Sequence, residues 1–191
     1  KIGFVNTLME ICHKTPGANV DEVTTALKLA TDRLISPRYM DAGMGDGGGC
    51  HPRDNIALSW LAKRKNLSYD IFESIMMARE EQSGWLVDLM CEHKLPKVIL
   101  GRSFKPETDI ILGSPSILCK NLLEARGHSV TMYDPYIDKR MPSFKPSVFL
   151  IGTKHSQFAK FSFPAGSVVI DPWRYIDPTS EIKLIRVGDR S

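Results

Sequence analysis

Asp41-Ala42-Gly43-Met44-Gly45-Asp46-Gly47-Gly48-Gly49-Cys50-His51-Pro52-Arg53-Asp54 is the stretch on which the reading of this chain turns. Five of the 14 glycines fall between Gly43 and Gly49, and a cysteine then opens an amphipathic run. Glycine serves where φ must be positive or where something must approach the backbone closely. Pro52 suits the first turn of a helix, where a missing N–H costs nothing. Ile56, Ala57, Trp60 and Leu61 follow at helical spacing. The pattern predicts Cys50 at a loop-to-helix junction, where the helix dipole and Arg53 favour its thiolate. With Asp54 one turn on, Cys50 is a candidate nucleophile and Asp54 its water-handling partner. The same residues also read as a glycine-rich surface turn carrying an ordinary cysteine, because cysteine reactivity depends on surroundings.

Before this loop, residues 1–30 read as helices. Phe4, Val5, Leu8, Ile11 and Cys12 make one apolar face, and Thr15-Pro16-Gly17 stops it. Asn19 then starts a short helix with Asp21 and Glu22 in its first turn. After the loop, 52–66 and 70–93 read as two more helices. The second turns Ile71, Ile75, Met76, Leu86, Leu89 and Met90 inward, with Gly84 marking a bend and His93 favoured by the dipole at its end. Beyond Pro96 the pattern changes. Residues 97–101 read as a buried strand, and 114–126 as a helix capped by Ser114, opened by Pro115 and stopped by Gly127. Residues 128–133, 147–152 and 167–171 are further strands, with a short helical stretch around Gln157-Phe158, and 182–187 forms a final edge strand. Strands alternating with helices indicate an α/β fold: a helical segment followed by a Rossmann-like, mostly parallel sheet. Ligands bind such sheets at the carboxyl ends of strands, and Phe104-Lys105-Pro106 follows the first one.

With 191 residues, 42% hydrophobic and 25% charged, the chain has the make-up of a globular protein with an ordinary core. Its net charge of +3 comes from scattered basic residues, which suits an anionic small ligand and argues against nucleic acid. No apolar run reaches membrane-spanning length. Four cysteines do not make a disulfide framework, so a cytoplasmic location is expected. Cys12-His13, Cys50-His51 and Cys91-Glu92-His93 lack the paired spacing of zinc ligands, and no metal is expected.

Three ordered blocks resemble the nucleotide-sugar 6-dehydrogenases, typified by UDP-glucose and GDP-mannose dehydrogenases. The family's G-x-G-G-x-C-x-x-K-D loop reads here as Gly45 to Asp54. Its F-K-x-x-T-D block, followed by S-P, reads as Phe104-Lys105-Pro106-Glu107-Thr108-Asp109 and Ser114-Pro115, and its Y-D-P block as Tyr133-Asp134-Pro135. The resemblance covers nearly the whole chain but only the latter part of the family's length. It implies a fragment: a central helical domain over 1–93 that builds a homodimer, then a C-terminal UDP-sugar-binding domain over 94–191. The N-terminal NAD-binding domain would be missing, and no Gly-x-Gly-x-x-Gly after a strand replaces it.

The resemblance implies that NAD oxidises the C6 alcohol of a UDP-hexose, or a related nucleotide sugar, to a carboxylate. A thioester on Cys50 would be hydrolysed by a water that Asp54 orients or deprotonates. Substrate contacts would come from Arg33, Tyr39, Asp41, Gly43, Gly45, Gly47 and Lys105, and cofactor contacts from Cys50 and Arg53. Arg38 competes with Arg33 as the counterpart of the family's arginine, and Lys105 also reads as a solvated loop lysine. Asp46 replaces the usual aromatic, Arg53 a lysine, and Leu112 or Gly113 an arginine that contacts NAD phosphates in relatives. The rival reading is a non-catalytic nucleotide-sugar-binding and dimerisation module.

Overall fold

Four helices precede any strand. α1 (Ile2–Lys14) stops before Thr15-Pro16-Gly17, and α2 (Val20–Lys28) starts where the Asn19 side chain accepts the Asp21 N–H. α3 (Cys50–Arg64) packs chiefly on α4 (Ile71–Cys91). Asp70 joins these two: it caps α4 by accepting the Phe72 and Glu73 N–H groups and receives Ser59 Oγ of α3 at 2.6 Å. α4 runs through Gly84 without a break. The computed structural model describes residues 1–191 except Arg33, Ile35, Asp46 and Gly47.

The chain then alternates β1 (Lys97–Leu100), α5 (Pro115–Ala125), β2 (Val130–Tyr133), β3 (Val148–Ile151), a 3-10 turn (Ser156–Lys160), β4 (Val168–Asp171) and β5 (Lys183–Arg186). Every strand pair is parallel, in the order β2-β1-β3-β4-β5. The chain leaves β1 for one neighbour, β2, and returns to the other side as β3. The crevice of this α/β sheet therefore lies outside the carboxyl ends of β1 and β3.

β1, β3 and β4 are buried throughout, which explains the apolar runs 98–100, 148–151 and 168–170 within them. On one face, Ile99, Leu150 and Ile170 join a core with Val5 and Met9 of α1, Leu86 of α4 and Leu123 of α5. On the other, Phe149 and Ile151 pack with Phe158 and Ile176. The first core draws on both halves of the chain. Arg174 adds a polar tie between them: buried, with φ +56°, it donates to both carboxylate oxygens of Asp21 at 2.8 and 2.9 Å and to the Ala42 carbonyl at 2.9 Å.

Burial departs from expectation on the helices. Ile71 and Ile75, expected to face inward, are 53% and 39% exposed, while Leu86, Leu89 and Met90 are buried. In the first half of α4, Ile75 lines an open groove with Phe4 of α1, and Met76 lines another with Trp60 of α3. Phe4 and Ile11 of α1, and Ile56 and Trp60 of α3, are likewise exposed. Helical spacing identified the helices correctly, but not what covers their apolar sides.

Candidate functional site

Cys50 is the first residue of α3 and is exposed. Pro52 accordingly sits third in the helix rather than at its start. Arg53 Nε donates to Asp54 Oδ1 at 2.9 Å, so this guanidinium is hydrogen-bonded to the carboxylate one residue on and interacts with Cys50 through charge alone. Both side chains face solvent.

The approach to Cys50 is fixed from beneath by two amides. Asn6 of α1 accepts the Gly43 N–H at 3.1 Å and donates to the Gly45 carbonyl at 2.9 Å; Gln82 of α4 donates to the Gly43 carbonyl at 2.9 Å. Both amides are buried. Sequence reading passed over them, although a polar residue beside Val5 and Met9 on an apolar face is a signal. The N–H of Gly43, expected as a substrate contact, is thus taken by Asn6.

The glycine-rich loop also rests on the second half of the chain. A Cβ on Gly43 would lie 2.1 Å from the Trp173 ring, and one on Gly45 2.9 Å from Pro115. Gly48, at φ +91°, lies under Phe104, with 2.6 Å between its added Cβ and the ring. Gly113, at φ +76°, approaches so closely that its Cβ would meet the Gly49 nitrogen at 2.5 Å. These positions are glycine because protein fills the space beside them. The segment ahead of Cys50 and the β1–α5 connection are therefore in direct contact.

That connection carries Lys105, which is exposed, its Nζ 5.4 Å from the centre of the Phe104 ring. Its root is organised by Asp134 at the end of β2. Fully buried, Asp134 accepts the N–H groups of Arg102 at 2.6 Å, Ser103 at 3.1 Å and Tyr136 at 2.9 Å. Burial raises its pKa; the His155 side chain and the Arg102 and Ser103 amides outweigh that and hold it below the ordinary carboxylate value. Asp138 takes the Arg102 guanidinium through both oxygens at 2.8 Å. His155 joins Ser103, Asp134 and the Glu107 amide. The aspartate of the Tyr133-Asp134-Pro135 block is thus a turn organiser, a role the sequence reading did not give it.

Tyr39 adopts a left-handed φ of 65° and is 66% exposed. Asp41 pairs with Lys28 at the surface, and Arg38 is exposed. Arg33 and Gly47, with Asp46, lie outside the described residues. Burial raises the Cys12 thiol and pushes Cys119 up to about 12. Cys91 Sγ lies 3.5 Å from His128 Nε2. The pKa of His93 is lowered, by burial first and then by Lys183. Among the described residues, no three His, Cys, Asp or Glu side chains group as metal ligands, and no helix is long and apolar enough to cross a membrane.

Residues 1–80 match the central domain of the UDP-glucose/GDP-mannose dehydrogenase family, and residues 98–178 match the UDP binding domain of the same family. UDP-glucose 6-dehydrogenase YwqF of Bacillus subtilis is 33% identical over 141 residues, covering 71% of this chain and 31% of that protein. The putative UDP-glucose 6-dehydrogenase YtcA of the same organism is 26% identical, with 96% of this chain and 46% of its own length covered. Among solved structures, a UDP-glucose dehydrogenase from Pyrobaculum islandicum superposes with a TM-score of 0.81 at 24% identity, over 98% of this chain and 47% of that one. The UDP-D-ManNAc dehydrogenase of Pyrococcus horikoshii gives 0.79 at 20% identity, over 98% and 48%. At those identities the superpositions show a common fold. The chain covers from 31% to 48% of the length of these relatives.

Proposed function

The chain belongs to the UDP-glucose/GDP-mannose dehydrogenase family, and on that premise we propose that it forms the nucleotide-sugar and cysteine side of a 6-dehydrogenase active site. The observation that carries the reading is the contact of Gly48 and Gly49 with Phe104 and Gly113. It brings the segment that ends in Cys50 against the connection that bears Lys105, at the crevice where sheets of this order bind ligands. Lys105 neutralises charge on the diphosphate or sugar of a UDP-sugar. By the family resemblance, Tyr39, Asp41 and Arg33 would contact the sugar.

In the chemistry, the Cys50 thiolate adds to the C6 aldehyde of the partly oxidised sugar. A thioester would form from that adduct only where an NAD held outside these residues took its hydride. Water, oriented or deprotonated by Asp54, then attacks the acyl carbon and releases the carboxylate and the thiolate. NAD, when bound by a full-length family member, accepts hydride. The residues described here do not fit its site. The chain's one Gly-x-Gly-x-x-Gly, Gly43 to Gly48, lies ahead of β1 rather than after a strand, as a dinucleotide-binding turn would need. Leu112 is apolar and 75% exposed, and the backbone of Gly49 blocks any side chain at Gly113. Oxidation is accordingly a property of a protein that also carries the dinucleotide site, and this chain's share is binding and thiol chemistry. That same Leu112 favours the second reading, a nucleotide-sugar-binding and dimerisation module without turnover.

Calorimetric titration with UDP tests the proposal. The chain should bind it, and Lys105→Ala should weaken binding about tenfold, in line with the loss of one charged hydrogen bond. Binding that is absent at millimolar UDP would overturn the reading.

A further inference from the structure

The segment that bears Lys105 has no regular secondary structure, and Glu107 within it is left-handed at φ 59°. A residue with a Cβ seldom holds that conformation unless its surroundings enforce it. Two contacts do so here. The Glu107 N–H donates to His155 Nδ1 at 3.1 Å, and Glu107 Oε1 accepts the Ser156 N–H at 3.0 Å. His155 comes from the loop after β3, across the crevice, and its side chain is fully buried.

Because Nδ1 accepts from a backbone amide, the neutral ring carries its proton on Nε2. That nitrogen lies 3.2 Å from Asp134 Oδ2 and 3.1 Å from Ser103 Oγ. Tyr136 stacks on the ring at 4.8 Å. Asp134, Ser103 and Tyr136 thus set the tautomer and plane of an imidazole whose other nitrogen holds Glu107. None of these contacts leaves His155 free to reach a ligand.

We propose that His155 is a positioning residue for nucleotide binding: it acts through the Glu107 amide to hold the Phe104–Asp109 segment in the conformation that presents Lys105. The inference rests on the reading of Lys105 as a nucleotide contact and adds the group that pre-sets it. Ordering this segment before binding lowers the cost of association, which is the general benefit of preorganisation.

Two amide substitutions separate the ring's two nitrogens. In His155→Asn the side-chain oxygen falls near the Nδ1 position and still accepts the Glu107 N–H. In His155→Gln the amide reaches the Nε2 position, keeping the donor to Asp134 and losing the acceptor. UDP is the probe, and the readouts are its affinity and the hydrogen exchange of the Glu107 amide. His155→Gln should bind UDP about tenfold more weakly, a change of about 1.4 kcal/mol, and exchange at Glu107 should speed up. His155→Asn should stay within about threefold of wild type in both, where a purely structural role would rank the two variants by packing alone. With wild-type protein, saturating UDP should slow Glu107 exchange further, a measurement that survives even if a variant fails to fold. A His155→Gln protein that releases the Glu107 amide yet binds UDP as wild type does would overturn the proposal and leave the nucleotide reading standing. A wild-type chain that does not bind UDP would remove both.

Discussion

Cys50 and Cys119 differ in everything but the side chain. Cys119 is fully enclosed beneath α4, and burial pushes its thiol up to about 12. Cys50 stands exposed at the first residue of α3. Since the thiolate is the reactive form, iodoacetamide near neutral pH should alkylate Cys50 and leave Cys119 unmodified in the native chain. Peptide mapping by mass spectrometry reads this directly, and comparable labelling of Cys119 would contradict the burial described. Gly113 offers a second test. A methyl group there combines a left-handed φ of +76° with a 2.5 Å clash against the Gly49 backbone. Gly113→Ala should therefore lower stability by about 2–4 kcal/mol in urea titrations; a loss under 0.5 kcal/mol would mean that the two loops separate easily. At this scale the cysteine, its aspartate and Lys105 were legible because they sit in contiguous blocks. Asn6, Gln82 and His155 were not, because each acts on backbone 37 to 48 positions away in sequence.

Strands were easier to read than helix faces, for a physical reason. β1, β3 and β4 are covered on both sides by their own chain, so each contains a run of consecutive apolar residues. Even the edge strand β5 shows, as a short run beyond Glu181. The helices are amphipathic, and periodicity gives their apolar stripe without naming its partner. Phe4 and Ile75 line one groove with His51 and Asn55, and Ile56, Trp60 and Met76 line another. Exposed apolar surface of this kind marks an interaction site, and we read it as the surface through which two copies pair. Light scattering should show concentration-dependent dimers. Trp60→Glu or Ile75→Glu should shift them toward monomer without loss of helical circular dichroism. A wild-type chain that stays monomeric at high micromolar concentration would exclude that pairing.

On the scale of the whole molecule, the division at residues 93 and 94 describes chain order better than independent folding, because the main core and the Arg174–Asp21 tie span it. Block order and element type carried that division in the sequence, while the shared core came from contacts no local pattern records. One consequence is that acid should act on the molecule as a unit, in two steps. His13 has a pKa below the ordinary 6.5, through burial first and then Arg190, and His93 is lowered from the same value by burial and Lys183. A group whose folded pKa is depressed binds protons more readily when unfolded, so the stability linked to it is complete above the unfolded value and drains away as pH falls through the folded one. For these two histidines the decline begins below about pH 6.5. Asp134 follows the same rule from the ordinary carboxylate value of 3.8, so its share is intact through the first step and is lost only in stronger acid. The urea midpoint should therefore be level from pH 8 to 7, fall modestly below pH 6.5, and fall again below about pH 4. His13→Gln combined with His93→Gln should flatten the first decline and leave the second in place, whereas Asp134→Asn should lower the whole curve and weaken the second. An unchanged first decline in the double histidine variant would assign it to other groups.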